Sequence, residues 1–118
     1  MSKQYSMFIG RYQPWHEGHR WLIDQRLKEG KNVWVAIRTR PDSINEPWGA
    51  DRVQAHIQEE LADLIEEGRV FISIIPDIES INYGRGVGYE IIEHVPPKKI
   101  EKISATKIRD KMRKDGKL

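Results

Sequence analysis

The sequence predicts a three-layer α/β sandwich built on a mainly parallel sheet. Three observations lead there. The runs YSMFIG (5–10), NVWVAIR (32–38) and VFISII (70–75) are rich in β-branched and aromatic residues, as buried strands are. The stretches between them carry apolar residues every three or four positions, which is helical spacing. Glycines and prolines mark the junctions. Strand, helix, strand in succession implies parallel pairing and right-handed crossovers.

The elements follow in order. YSMFIG is a short buried strand ending at Gly10, and RYQPWHEG is the loop after it, stiffened by Pro14. From Gly18 to about Glu29 the apolar or ring-bearing residues stand at 19, 22, 23 and 27, and Gly30 terminates the helix. NVWVAIR is the second strand. Residues 39–50 form a loop broken by Pro41, Asn45, Pro47 and Gly49. Asp51 precedes Gln54 by three positions, a capping-box spacing. Val53, Ile57, Leu61, Leu64 and Ile65 make one helical face, closed by Gly68. VFISII is the third strand, and a polar loop with three glycines runs from Pro76 to Gly88.

The remainder reads less uniformly. YEIIEHV (89–95) suits a fourth strand or a short helix, and Pro96 and Pro97 end it. Ile100 to Ile103 reads as a brief strand. Ser104 or Ala105 opens a last helix with Ile108 and Met112 inward, ended by Gly116. Sheets of this kind bind ligands beyond the C-terminal ends of their strands, where the strand order reverses. That singles out the loops after the first three strands.

The chain has 118 residues, 38% hydrophobic and 32% charged, which suits one globular domain spanning 1–118. It has no cysteine, so disulfides, thiolate metal sites and cysteine nucleophiles are excluded. No apolar run reaches membrane-spanning length, and the N-terminus lacks a signal-peptide core, so a cytoplasmic address and no membrane partner are expected. The net charge of +2 is split unevenly. Residues 98–118 carry nine lysines and arginines against three acids. That segment calls for phosphate, nucleic acid, an acidic protein or water.

Three clusters can carry chemistry. His16-Glu17-Gly18-His19 follows the first strand and opens a helix. Two imidazoles three residues apart share one side of that helix, Gly18 permits close approach, and the helix start adds unpaired N–H groups. The result is an anion site with two tunable donors, suited to phosphoryl or nucleotidyl transfer. Two ordinary surface histidines are the plain alternative. A zinc pair would need carboxylates that the sequence does not place, so no protein-bound metal is expected. The second cluster is Ser104-Ala105-Thr106-Lys107-Ile108-Arg109, with hydroxyls at a helix start and a planar guanidinium for phosphate oxygens. The third is the loop Asn82 to Gly88, where Tyr83 and Arg85 stand among glycines. Trp48 either stacks on a base or packs its loop down.

Taken jointly, GRYQPWHEGH after the first strand and ISATKIRDKM opening the last helix resemble the H-x-G-H nucleotidyltransferase superfamily. Its members include glycerol-3-phosphate cytidylyltransferase, phosphopantetheine adenylyltransferase and nicotinamide-mononucleotide (NMN) adenylyltransferase. The resemblance covers nearly the whole chain and implies a Rossmann-like sandwich. It implies transfer of NMP from CTP or ATP to a small phosphorylated acceptor. The acceptor phosphate attacks the α-phosphorus in line and releases pyrophosphate, with no covalent enzyme intermediate. Mg²⁺ arrives with the NTP. By this likeness His16, His19 and Arg109 are catalytic. Gly10, Arg11, Gly18, Ser104, Thr106 and Arg109 bind the nucleotide, and Arg52, Trp48, Tyr83 and Arg85 face the acceptor.

The stretches GRYQPWHEGH, NEPWGADR and IPDIES look most like NMN adenylyltransferases. The shortened stretch YEIIEHVPPKKIEK is closer to the cytidylyltransferase type. Relatives often assemble as dimers or larger, so a homo-oligomer fits the resemblance. A non-catalytic nucleotide- or nucleic-acid-binding module is the rival from another class, motivated by the basic C-terminal helix. With the second motif present, that basic segment reads as the surround of an anion site, and no nucleic-acid partner is expected.

Overall fold

The computed structural model describes residues 3–40, 47–86 and 88–117. Strands β1 (Tyr5–Gly10), β2 (Asn32–Thr39) and β3 (Val70–Pro76) pair in parallel in the order β1-β2-β3. Phe8, Val35 and Ile72 stand in one row across the sheet, and Gly10, Ile37 and Ile74 in another. Helix α1 (Glu17–Leu27) crosses from β1 to β2. Helices α2 (Ala50–Glu60) and α3 (Ala62–Glu66) cross from β2 to β3, divided where Leu61 leaves helical geometry. Two further helices close the chain, α4 (Lys98–Glu101) and α5 (Ala105–Lys114). The fold is the α/β, Rossmann-like class with a parallel sheet.

The core lies on one face of the sheet. Val33, Val35 and Ile37 alternate along β2 and are fully buried, as the period of two requires. Ile23 of α1 and Val53 and Ile57 of α2 close over them, joined by Leu61. Each such side chain contributes about 1.5–3 kcal/mol on burial, so this cluster is the main source of stability. The other face carries Met7, Trp34 and Phe71 in one row, with Tyr5 beside them. Trp34 satisfies its indole N–H by donating to Ser73 Oγ at 2.7 Å. Among the described residues no helix packs along that face, and Phe71 stays 47% exposed.

Three local expectations need correcting. Residues 89–95 are irregular rather than a strand. Their composition suits a strand, but a strand exists only where a neighbour pairs with it. Residues 98–101 are a helical turn and not a strand start, because Pro97 in extended geometry serves as its N-cap. The α2 N-cap is Gly49, so Asp51 sits inside the first turn and favours the helix by its charge instead of by a capping box. The breakers Pro41 and Asn45 fall outside the described residues.

The sheet places the loop after β1 at the C-terminal strand ends, as expected. β1 is an edge strand among the described residues, so the sequence-expected reversal of strand order is not built there.

Candidate active site at the start of the first helix

The loop from Arg11 to His16 turns the chain from β1 into α1 through an unusual conformation. Tyr12 has φ of 52°, a left-handed geometry that a ring-bearing residue adopts only when its surroundings hold it. Here its hydroxyl donates to the Phe8 carbonyl at 2.8 Å, and its ring lies over Gly10. A Cβ at Gly10 would come within 2.9 Å of that ring. The expected glycine therefore makes room for Tyr12, and the surface above it belongs to an aromatic side chain.

His16 is the N-cap of α1 and His19 is its third residue, joined in a reciprocal capping box. The Gly18 N–H donates to His16 Nδ1 at 3.0 Å. The His16 N–H donates to His19 Nδ1 at 3.1 Å. The rings stack with centroids 3.8 Å apart. Both Nδ1 atoms accept, so each neutral ring carries its proton on Nε2. Both remain neutral at physiological pH. Burial lowers the His16 pKa, with Glu17 pulling the other way. Burial, with His16 adding to it, lowers His19 to about 3. A Cβ on Gly18 would meet the His16 ring at 2.7 Å, so glycine is required for the stack.

Aromatic rings fix His19 in place. Tyr12 meets it edge-on at 4.8 Å and Trp15 stacks on it at 5.4 Å. These three residues share a small cavity of about 130 Å³ with Gly10, Leu22 and Ile23. The site therefore offers two preorganised Nε2–H donors at a helix N-terminus, whose partial positive charge also favours an anion.

The C-terminal cluster reaches this place by a long-range tie. Arg109 is only 8% exposed. Its Nη1 donates to the Gln13 carbonyl at 2.6 Å and its Nη2 to Thr106 Oγ1 at 3.2 Å. Helix α4 packs on α1, and the Ile100 carbonyl stands 4.0 Å from where a Gly18 Cβ would be. Ser104 caps α5 by accepting from the Lys107 N–H at 3.4 Å. The two sequence clusters thus meet, with Arg109 acting first as the clamp between them.

The remaining candidates divide. Arg11 is exposed beside the loop. Trp48 is 8% exposed and belongs to the core, so it is not an open stacking platform. Gln13 explains why: its Nε2 donates to the Trp48 carbonyl at 2.8 Å and its Oε1 accepts from the Trp48 N–H at 3.1 Å. Arg52 covers the Trp48 ring at 4.4 Å as a cation over an aromatic face. Tyr83 and Arg85 are not brought to the histidines. They line a groove along the outer edge of β1, which includes neither His16 nor His19. Sequence reasoning missed Tyr12 and Gln13, for which no spacing rule gives a signal.

Comparison with known proteins agrees with this architecture. No protein-family model matches the chain, and no curated protein does. A crystal structure of a bifunctional NMN adenylyltransferase/ADP ribose pyrophosphatase from Francisella tularensis matches with a TM-score of 0.55. The fold is nucleotidyltransferase-like. Identity to that protein is 29%, over 64% of this chain and 23% of the other. The same bifunctional protein complexed with AMP and a Mn ion matches equally well. This nucleotidyltransferase-like chain thus spans under a quarter of its neighbour's length. No helix among its described residues is long and apolar enough to cross a membrane.

Proposed function

We propose that residues 1–118 act as a single nucleotidyltransferase domain, moving NMP from an NTP to a small phosphorylated acceptor with release of pyrophosphate. The observation that carries this reading is the stacked His16–His19 pair, neutral and with both Nδ1 atoms engaged. An acceptor phosphate oxygen forms a bond to the α-phosphorus as the bond to the pyrophosphate oxygen breaks. Negative charge then grows on the oxygens around that phosphorus and on the leaving group. Two fixed Nε2–H donors stabilise such charge without reorganising. Because the imidazoles are neutral, they act as hydrogen-bond donors rather than as acids.

Gly18 and the α1 N-terminus let the polyphosphate approach closely. Ser104, Thr106 and the start of α5 cover its far end, held there by the Arg109 clamp, which adds a permanent positive charge. Arg11 and Arg52 supply further charge nearby. A divalent ion would arrive with the nucleotide substrate. Among the described residues no three His, Asp or Glu side chains stand together to hold one, so the phosphate oxygens would carry most of its coordination.

The test is a pyrophosphate-release screen that crosses ATP, CTP, GTP and UTP with phosphorylated acceptors in the presence of Mg²⁺. Release with one pair, abolished in His19→Ala while the chain remains folded at the assay temperature, is the expected result. Normal turnover by that variant would remove His19 from the chemistry. NMN adenylyl transfer is the second reading, favoured by the bifunctional neighbour and its AMP complex. It predicts that ATP with NMN is the productive pair.

A further inference from the structure

We propose that residues 89–95 are a strap that closes onto the free edge of β1 in parallel and, in closing, completes a ligand crevice beside His16 and His19. The closure does not rest on nucleotidyl transfer, but its response to a nucleotide does.

Two unpaired segments face each other. The outer edge of β1 has no partner strand among the described residues. β1 reads YSMFIG, without the charged residue or proline that usually guards such an edge. Residues 89–95 stand across a groove of about 1290 Å³ from it. Among the described residues they make no backbone hydrogen bond with β1. Yet their side chains already alternate as those of a strand do. Ile92 is 44% exposed and His94 is half-buried, whereas Ile91 is 69% and Val95 74% exposed.

Direction and register follow from what the strap touches. After Pro96 and Pro97 the chain enters α4, which packs on α1 with its Ile100 carbonyl near Gly18. Gly18 lies just beyond the C-terminal end of β1, so residues 89–95 run toward that end, in the same sense as β1. The Phe8 and His94 rings stack with centroids 6.1 Å apart and planes 20° from parallel. That contact sets Phe8 beside His94, Met7 beside Glu93 and Tyr5 beside Ile91. Ile92 and His94 then share the face of Phe8, and Ile91 and Val95 extend the row of Tyr5 and Met7.

The closed strap changes what lies above β1. With β2 on one side and the strap on the other, the strand order reverses at β1, and sheets of this kind hold ligands above such a point. His16 and His19 stand there. The far end of the strap continues through α4 to Ser104, the N-cap of α5. A polyphosphate held between the starts of α1 and α5 therefore fixes that end and favours the closed form.

The experiment is disulfide trapping, in a chain that has no cysteine of its own. Directly opposed residues of paired strands lie about 5 Å apart, within disulfide reach, and diagonal ones about 7–8 Å apart, beyond it. Met7→Cys with Glu93→Cys should therefore oxidise several times faster than Met7→Cys with Ile91→Cys or with Val95→Cys. All four positions are exposed, so the reduced variants should keep the melting temperature. In the oxidised Met7–Glu93 pair, the β1 amides that do not bond to β2 should exchange more slowly than in the reduced pair. Equal trapping of the three pairs, trapping of none, or exchange unchanged by oxidation overturns the closure. A nucleotide that raises the melting temperature in the presence of Mg²⁺, among ATP, CTP, GTP and UTP, should also speed Met7–Glu93 trapping at least about fivefold. A raised melting temperature with unchanged trapping overturns the link between strap and site. No melting shift with any of the four overturns the nucleotidyltransferase reading and the link with it, while the three cysteine pairs still decide the closure.

Discussion

Arg109 Nη1 donates to the Gln13 carbonyl at 2.6 Å, joining residues that lie 96 positions apart. The bond fastens the last helix to the loop that presents the two histidines. Arg109 is buried, and its guanidinium also holds Thr106. Its charge and its geometry therefore act together. Replacing it tests whether the two clusters need each other.

Arg109→Ala should cost about 1.5–3 kcal/mol of stability, the usual worth of hydrogen bonds to a charged group. It should also raise the apparent KM for the NTP, because α5 is no longer held beside α1. Arg109→Lys keeps the charge but not the fork that reaches Gln13 and Thr106 together. It should recover part of the binding and little of the stability. Thermal melts and NTP saturation curves on both variants check this. An unchanged KM in the alanine variant would leave Arg109 a structural clamp only.

Gln13 and Trp48 make a second tie, through two hydrogen bonds between one side-chain amide and one backbone. Gln13→Ala should destabilise by about 1–3 kcal/mol, since it strands a buried N–H and a buried C=O. Trp48→Phe should cost far less than that. The Trp48 Nε1 is buried with no hydrogen-bond partner, so phenylalanine removes an unpaired donor while keeping most of the ring. Urea titrations rank the two. If Trp48 stacked on a base instead, Trp48→Phe would change the NTP KM, and here no change is expected.

These ties also mark where the sequence stopped being informative. β1, β2 and β3 were legible from their β-branched and aromatic residues, and α1 from the helical spacing of Leu22, Ile23 and Leu27. His16 and His19 were legible for the same reason, since three residues on a helix are neighbours whatever surrounds them. Residues 89–95 have strand composition, yet pairing is a property of two segments, and no local pattern states whether a partner comes. Tyr83 and Arg85 looked like ligand groups from their glycine neighbours, but the chain's path puts them along β1. The left-handed Tyr12 and the Gln13 bridge arise from contacts with Gly10 and Trp48 that spacing does not encode.

The His19 environment makes a prediction about pH. Its folded pKa is lowered from 6.5 to about 3 by burial and by His16. Between those values the unfolded chain binds a proton that native His19 does not. Stability should therefore fall as the pH drops from 6.5 toward 3, and His19 should add no dependence above 6.5. Urea midpoints for the protein and for His19→Asn, taken at several pH values in that range, should show the steeper loss in the protein. In NMR the His19 ring protons should not titrate between pH 8 and 5. Equal slopes in the two proteins, or a His19 titration near 6.5, would contradict a neutral, buried ring.

Gly18 gives the sharpest separation of site from scaffold. Added at Gly18, a Cβ would come within 2.7 Å of His16 Cε1 and 2.9 Å of His16 Nδ1. The imidazole must then move, and the stack on His19 opens. Elsewhere a new methyl meets less. At Gly49, the N-cap of α2, nothing lies within 4 Å of the built Cβ and φ is −63°. Gly18→Ala should therefore lower kcat by about a hundredfold, the scale of a misplacement near 1 Å in a reacting group. Gly18 is the second residue of α1 and its N–H caps onto His16, so the variant should also lose about 0.5–2 kcal/mol of stability, too little to unfold the chain and far too little to account for a hundredfold loss of rate. Gly49→Ala, by contrast, should leave kcat as it was. Parallel kcat and melting measurements on the two variants decide the matter, because a merely structural histidine pair would leave kcat of the folded Gly18→Ala protein as it was at temperatures well below its melting point.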